Sequence, residues 1–290
     1  MKIMTQPAQA KAGIITAAMQ RVAELEKLPA ETIRAGVAAG TANINHRNLE
    51  PIGIGRILKT KINANIGNSA VASCPRQELE KLNYSVRYGA DTVMDLSTGG
   101  NINEIRRSII EHSPIPVGTV PLYEVLARCG TVDNLTEELI LQVMQEQAEQ
   151  GVDYMTIHAG LLRAQVPAAK KRLLRIVSRG GSILAAWMNK FDRENPFYTA
   201  FDKILEICRR YDVTLSLGDG MRPGCLADAS DEAQFAELDV LGELVSRCRA
   251  ADVQAMVEGP GHIPFNEVEM NMTRERERCG DAPFYVLGPV

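Results

Sequence analysis

Lys61-Ile-Asn-Ala-Asn-Ile-Gly67 alternates apolar and polar residues and ends in glycine; the stretch 77–88 that follows repeats Leu79, Leu82 and Val86 at helical spacing and closes on Gly89. The first pattern is that of a half-buried strand with a polar tip, and the second that of an amphipathic helix with a glycine cap. The same unit recurs along the chain. Further strands are predicted at 92–96, 116–120, 154–158, 174–177, 214–217, 253–257 and 284–287. Helices are predicted at 103–111, 136–150, around 168–172, and at 199–211, 231–250 and 266–278. Eight strands separated by seven helical stretches is the strand count of an α/β fold of the (β/α)8 TIM-barrel type. A doubly wound open sheet is the runner-up, but it calls for a glycine-rich first βα turn, and Asn65-Ile-Gly-Asn68 is not one. Residues 1–60 read as a helical or irregular N-terminal extension, and 61–290 as the barrel domain.

Composition bounds what such a barrel does. The 290 residues carry 32 Lys+Arg against 36 Asp+Glu, a net charge of -4, which argues against a general nucleic-acid binder in need of a basic surface. Hydrophobic residues at 45% exclude a disordered or fibrous chain. No apolar run approaches the ~18–20 residues that span a bilayer, and the first residues lack the apolar centre of a secretory signal. The six cysteines (Cys74, Cys129, Cys208, Cys225, Cys248, Cys279) are far apart with no Cys-x-x-Cys pair, so no disulfide framework is expected; one inside an apolar segment, such as Cys208, reads as a small buried hydrophobe, and the chain as reduced and cytoplasmic.

Barrel loops at the carboxyl ends of the strands build active sites. Those ends deliver Asn65; Met94 with Asp95 and Ser97; Tyr123; His158; Ser178, Arg179 and Gly180; Asp219, Gly220, Met221 and Arg222; Glu258 with His262; and Tyr285. His158 reads either as a satisfied core histidine or as an acid–base group. Ser178-Arg-Gly-Gly-Ser182 combines backbone amides, a hydroxyl and a guanidinium suited to phosphate, or is a tight turn. Gly218-Asp-Gly-Met-Arg-Pro-Gly224 is a salt-bridged loop or a binding loop in which Asp219 and Arg222 hold a polar substrate. Glu258-Gly-Pro-Gly-His262 cannot be helical and brings a carboxylate and an imidazole together, with His262 free to bind a divalent metal. His46 and His112 look peripheral, and the acidic run 231–239 reads as a solvated helix face.

Several of these stretches are long enough to be recognised. Lys61–Ser69, Gly89-Ala-Asp-Thr-Val-Met-Asp-Leu-Ser-Thr-Gly99, Gly118-Thr-Val-Pro121, Glu146-Gln-Ala-Glu-Gln-Gly-Val-Asp153, Val177-Ser-Arg-Gly-Gly181, Asp231-Glu-Ala-Gln-Phe-Ala-Glu-Leu238 and Val257-Glu-Gly-Pro-Gly-His262 resemble the ThiC family of thiamine pyrimidine synthases, from about Asn43 onward. The resemblance implies a (β/α)8 radical S-adenosylmethionine lyase that rearranges 5-aminoimidazole ribonucleotide into 4-amino-5-hydroxymethyl-2-methylpyrimidine phosphate. It implies a substrate-binding set of Asn65, Met94, Tyr123, His158, Ser178, Arg179, Gly180, Asp219, Gly220, Met221, Arg222, Glu258 and Tyr285, a Zn2+ or other divalent ion on His262, a [4Fe–4S] cluster and a homodimer. Family members continue past Pro289 with a second metal histidine and a Cys-x2-Cys-x4-Cys cluster motif. Neither is present in these 290 residues. A C-terminally truncated member is therefore expected, one that binds the ribonucleotide without turning it over. The paralogous 5-hydroxybenzimidazole synthases, which take the same ribonucleotide to a cobamide ligand, and a nucleotide-binding pseudoenzyme remain open alternatives.

Overall fold

The computed structural model describes residues 4–45, 50–69, 71, 74–259 and 261–287. The chain begins with helices α1 (Gln6–Lys11), α2 (Ala17–Glu26) and α3 (Ala30–Ala39), followed by the antiparallel strands β1 (Ala42–Asn45) and β2 (Ile52–Gly55). Strand–helix alternation then sets in: β3 (Asn63–Ile66), α4 (Pro75–Arg87), β4 (Thr92–Asp95), α5 (Ile102–His112), β5 (Val117–Thr119), α6 (Pro121–Cys129), α7 (Glu137–Gln150) and β6 (Tyr154–Ile157). Beyond β6 come α8 (Val166–Ala169), α9 (Arg179–Phe191), α10 (Pro196–Thr199), α11 (Phe201–Tyr211) and β7 (Thr214–Leu217). The chain finishes with α12 (Glu232–Ala250), β8 (Ala255–Glu258), α13 (Val268–Cys279) and β9 (Phe284–Tyr285). Among the described residues no helix is long and apolar enough to cross a membrane.

Strands β3 to β9 form one parallel sheet in chain order, curled into a partial barrel of the TIM type with the helices outside. The central strands β4 to β8 are buried along their whole length, as strands covered on both faces must be, while the edges β3 and β9 are only partly covered. Asn63 ties the curl together from inside. Its Oδ1 accepts from Thr92 Oγ1 (3.0 Å) and Tyr154 Oη (2.8 Å), and its Nδ2 donates to Tyr285 Oη (3.2 Å), a side-chain bridge between the two edge strands.

The predicted strand at 174–177 does not form. β6 pairs directly with β7, in register Tyr154↔Thr214, and 174–177 runs outside the sheet. Leu173 and Leu174 give their amides to the Asp228 carboxylate (2.7 and 2.8 Å), Arg175 takes a left-handed φ of 57°, and Leu174 and Val177 remain exposed. A short apolar run is no strand when a side chain claims its first amide and the strands on either side of it in the chain, β6 and β7, already pair with each other. The basic helix expected around 168–172 shrinks to the four residues of α8. Two helices that composition hid are α6, which follows the end of β5 with Pro121 at its opening turn, and α9, which is capped by Ser178.

The N-terminal elements have their own small core around Met19, Val22, Ile33, Val37 and Ile44, and they close the amino end of the barrel. Gln254, one residue before β8, acts as a surrogate strand partner: its Oε1 accepts from Ile44 N (2.6 Å) and its Nε2 donates to Ile44 O (2.9 Å). Asn43 Nδ2 donates to Ala255 O and Thr214 Oγ1 to Asn45 Oδ1. The opposite, carboxyl end is left open.

Candidate functional site

At that open end, a cavity of about 110 Å³ is lined by Asn65, Met94, Tyr123, His158, Asp219, Arg222, Glu258 and Tyr285, with Thr156, Leu96, Val120, Gly259 and Leu287. Each strand of the curled sheet contributes at or just past its end. A second, larger cavity of about 640 Å³ opens toward the seam between β3 and β9 and shares Asn65, Met94, Tyr285 and Leu287 with the first. Together they offer the volume of a small-molecule site.

The α9 terminus stands behind the cavity wall: Ser178, Arg179 and Gly180 do not line the cavity themselves but touch His158 and Tyr123, which do. Ser178 is the N-cap: its Oγ accepts from Gly181 N (3.2 Å) and lies 3.2 Å from His158 Nε2. The Ser-Arg-Gly-Gly stretch, read as a turn, is therefore the start of a helix of 13 residues, where orphan amides and the helix dipole favour an anion. Gly180 is required by close approach, since a Cβ there would lie 2.5 Å from His158 Cε1. The Arg179 guanidinium stacks 4.9 Å from the centre of the Tyr123 ring, which projects from the first turn of α6.

His158 follows β6 and is buried. Its backbone is anchored by Asn195 Nδ2, which donates to His158 O (2.7 Å) and Leu161 O (2.8 Å). Burial, with Arg222 adding to it, pushes the imidazole down to about 3, so it is neutral at physiological pH. Its Nδ1 is buried without a hydrogen-bond partner among the described residues, on the ring edge that packs against Gly180.

Asp219 and Arg222 follow β7 and pair through Oδ1 and Nη1 at 2.7 Å, leaving Asp219 Oδ2 without a hydrogen-bond partner among the described residues. Glu258 ends β8; its Oε1 faces Thr156 Oγ1 (3.3 Å) and Ser216 Oγ (3.5 Å), and its Oε2 lies 3.4 Å from Asp219 N. Burial raises both carboxyls above the ordinary carboxylate range; Arg222 opposes the shift at Asp219, and repulsion from Asp219 adds to it at Glu258. Of these two adjacent carboxyls beside one guanidinium, Glu258 is pushed the higher, to about 8, and is the proton carrier near neutral pH. The site can thus offer a neutral imidazole, an acid–carboxylate pair, a guanidinium and a helix N-terminus to one polar ligand.

Other expected site residues lie apart from the cavity wall. Met221 is fully buried in the core, and Gly220 packs behind the loop against Glu237 and Leu161. His262 adopts a left-handed φ of 61°, and its Nδ1 lies 3.1 Å from Pro223 O. That hydrogen bond leaves Nε2 as the accepting nitrogen, the form a metal-bound histidine takes. Yet among the described residues no three His, Cys, Asp or Glu side chains gather as a metal-binding group, so a divalent ion has no complete ligand set there. His112 is exposed and caps its own helix through Ser108 O, while His46 lies outside the described residues.

The acidic helix is not the solvated face that its composition suggested. Glu232 and Asp239 are exposed, but Asp231 pairs with buried Arg172 and Glu237 is only 2% exposed beneath the Asp219–Arg222 loop. Burial, then repulsion from Asp219, pushes the Glu237 carboxyl up to about 8 against the opposing Met221 amide. Helical spacing carried a signal for this: Glu237 stands one turn before Leu241 and two before Leu244, on the buried stripe.

Comparison with known proteins extends this picture. The sequence profile of the Radical SAM ThiC family matches residues 5–290. The phosphomethylpyrimidine synthases of Natronomonas pharaonis and Haloarcula marismortui are each 56% identical to the chain, over 99% of it and 61% of their own length. The chain thus spans about three fifths of these relatives. Among solved structures, a dihydropteroate synthase from Xanthomonas albilineans superposes with a TM-score of 0.39 at 11% identity, covering 75% of this chain and 65% of that one.

Proposed function

The chain belongs to the Radical SAM ThiC family, and from that premise we propose that its carboxyl-end pocket binds 5-aminoimidazole ribonucleotide, for conversion to 4-amino-5-hydroxymethyl-2-methylpyrimidine phosphate in thiamine biosynthesis. The observation that carries this reading is the convergence of eight expected binding residues, from the ends of all seven strands, on one cavity beside the α9 N-terminus. The positive end of α9 and the Arg179 side chain suit the phosphate. The Asp219 and Glu258 carboxyls can accept from ribose hydroxyls, Glu258, pushed up to about 8, can donate its proton to them, and His158 lines the same cavity.

S-adenosylmethionine with a [4Fe–4S] cluster would supply the radical in such chemistry. The described residues do not fit a cluster. Cys208, Cys248 and Cys279 are buried, burial pushes each thiol up, and no thiol trio gathers among the described residues. The assigned role of the described residues is therefore to bind and orient the nucleotide and to shield it from water.

Titration calorimetry with 5-aminoimidazole ribonucleotide tests the reading. The 290-residue chain is expected to bind it, and Arg179→Ala to weaken binding about ten- to a hundredfold through loss of a charged hydrogen bond, with the circular dichroism spectrum unchanged. No binding by the wild-type chain, or equal binding by the variant, would refute it.

A further inference from the structure

Asp219 and Arg222, the ion pair of the pocket, sit on one loop that is gripped from behind by side chains that do not line the cavity. The loop needs such a grip, because Gly218, Gly220 and Gly224 leave it little stiffness of its own. On the amide side, Glu237 Oε2 accepts from Met221 N at 2.7 Å. On the carbonyl side, Arg172 Nη2 donates to Met221 O at 2.7 Å. Arg172 is itself held by Asp231, the N-cap of α12, through contacts of 2.6 and 2.7 Å. Gly220 lies flat against the same acid, and a Cβ there would come within 3.0 Å of both Glu237 Oε1 and Leu161 Cδ1.

A carboxyl group is an expensive occupant of this buried stripe, where a leucine would add apolar contact. The guanidinium nearby is committed to Asp231, so Glu237 gains no ion pair of its own. What the carboxyl does make is the bond to the loop amide. Met221 completes the anchor by burying its side chain in the core between the two pocket residues.

We propose that Glu237, with the Arg172–Asp231 pair, is a positioning group that clamps the Gly220–Met221 backbone and so holds Asp219 and Arg222 in place for the ligand. The ligand half of this rests on the ribonucleotide reading, so the test includes an arm without ligand. Hydrogen exchange of the peptide covering 219–224 is expected to accelerate about tenfold in Glu237→Ala and to stay near wild type in Glu237→Gln, whose amide oxygen can still accept from Met221 N. Unchanged exchange in Glu237→Ala, or Glu237→Gln behaving like Glu237→Ala, overturns the clamp. Where Glu237→Ala does not fold, Arg172→Met tests the same peptide from its carbonyl side with the same expected and overturning results.

In the second arm, affinity for 5-aminoimidazole ribonucleotide is measured in a double-mutant cycle. Glu237→Ala is expected to weaken binding about tenfold in the wild-type background and less than about threefold on top of Arg222→Ala, because a group acting through the loop loses its lever when the loop's guanidinium is gone. Full additivity overturns the proposal. A wild-type chain that does not bind the nucleotide defeats the ribonucleotide reading, and the exchange arm still decides the clamp.

Discussion

Replacing Glu237 with glutamine should change how stability depends on pH. The unfolded chain ionises this glutamate near its ordinary value of 4.5, whereas burial in the fold pushes it up to about 8. The folded protein therefore binds a proton that the unfolded chain releases, and stability falls as pH rises between those values. Each pH unit inside that window is worth about 1.4 kcal/mol for one fully linked group. From about pH 6.5 to about pH 8, Glu237 should thus cost the wild type on the order of 2 kcal/mol that Glu237→Gln does not lose. The lower bound of this interval is chosen for His158, whose depressed value makes stability rise with pH through the acid range up to its ordinary value of 6.5. Other buried acids, such as Glu275 at about 7, contribute equally to both proteins and cancel in the difference. Urea unfolding of the two proteins at matched pH values measures it. A stability difference that stays flat across the interval would refute the buried, protonated state of Glu237.

Two further outcomes follow from packing. Glu124 is buried between Arg106 and Arg128 and also accepts from Gln147 Nε2 at 2.7 Å. Glu124→Ala should cost about 3–5 kcal/mol in urea unfolding, because Arg106, 1% exposed, is left charged without its partner; a cost below about 1 kcal/mol would mean the pair is solvated. Gly180→Ala should press its methyl into the His158 ring and cost about 1–3 kcal/mol, with nucleotide affinity falling in parallel by calorimetry; a variant indistinguishable from wild type in both would mean that α9 shifts freely.

Much of the site could be read from the chain because strand ends can be located by pattern. Runs such as Thr214-Leu-Ser-Leu217 and Ala255-Met-Val-Glu258 are rich in apolar residues and then break into glycine, so the polar residue at the break is at a carboxyl end. That logic brought Asp219, Glu258 and His158 onto one list, and they line one cavity. It failed at 174–177, where a mostly apolar run is held at its start by Asp228, a partner more than fifty residues away that takes the amides of Leu173 and Leu174. It failed again at Glu237, because an acidic run looks solvated until the helix face that carries it is known to be buried.

By itself the sequence determined the βα alternation, the parallel curl of the sheet and the family, since hydrophobic period and long motifs are local properties. Only the tertiary structure decided that Ser178 caps a helix, that His158 is buried and neutral, that burial raises the Asp219 and Glu258 carboxyls, and that Glu237 and Arg172 grip the loop between them. Those are matters of distance and dielectric: the ionisation of a side chain and the partner of an amide depend on what folding brings within a few ångströms, which no spacing along the chain encodes.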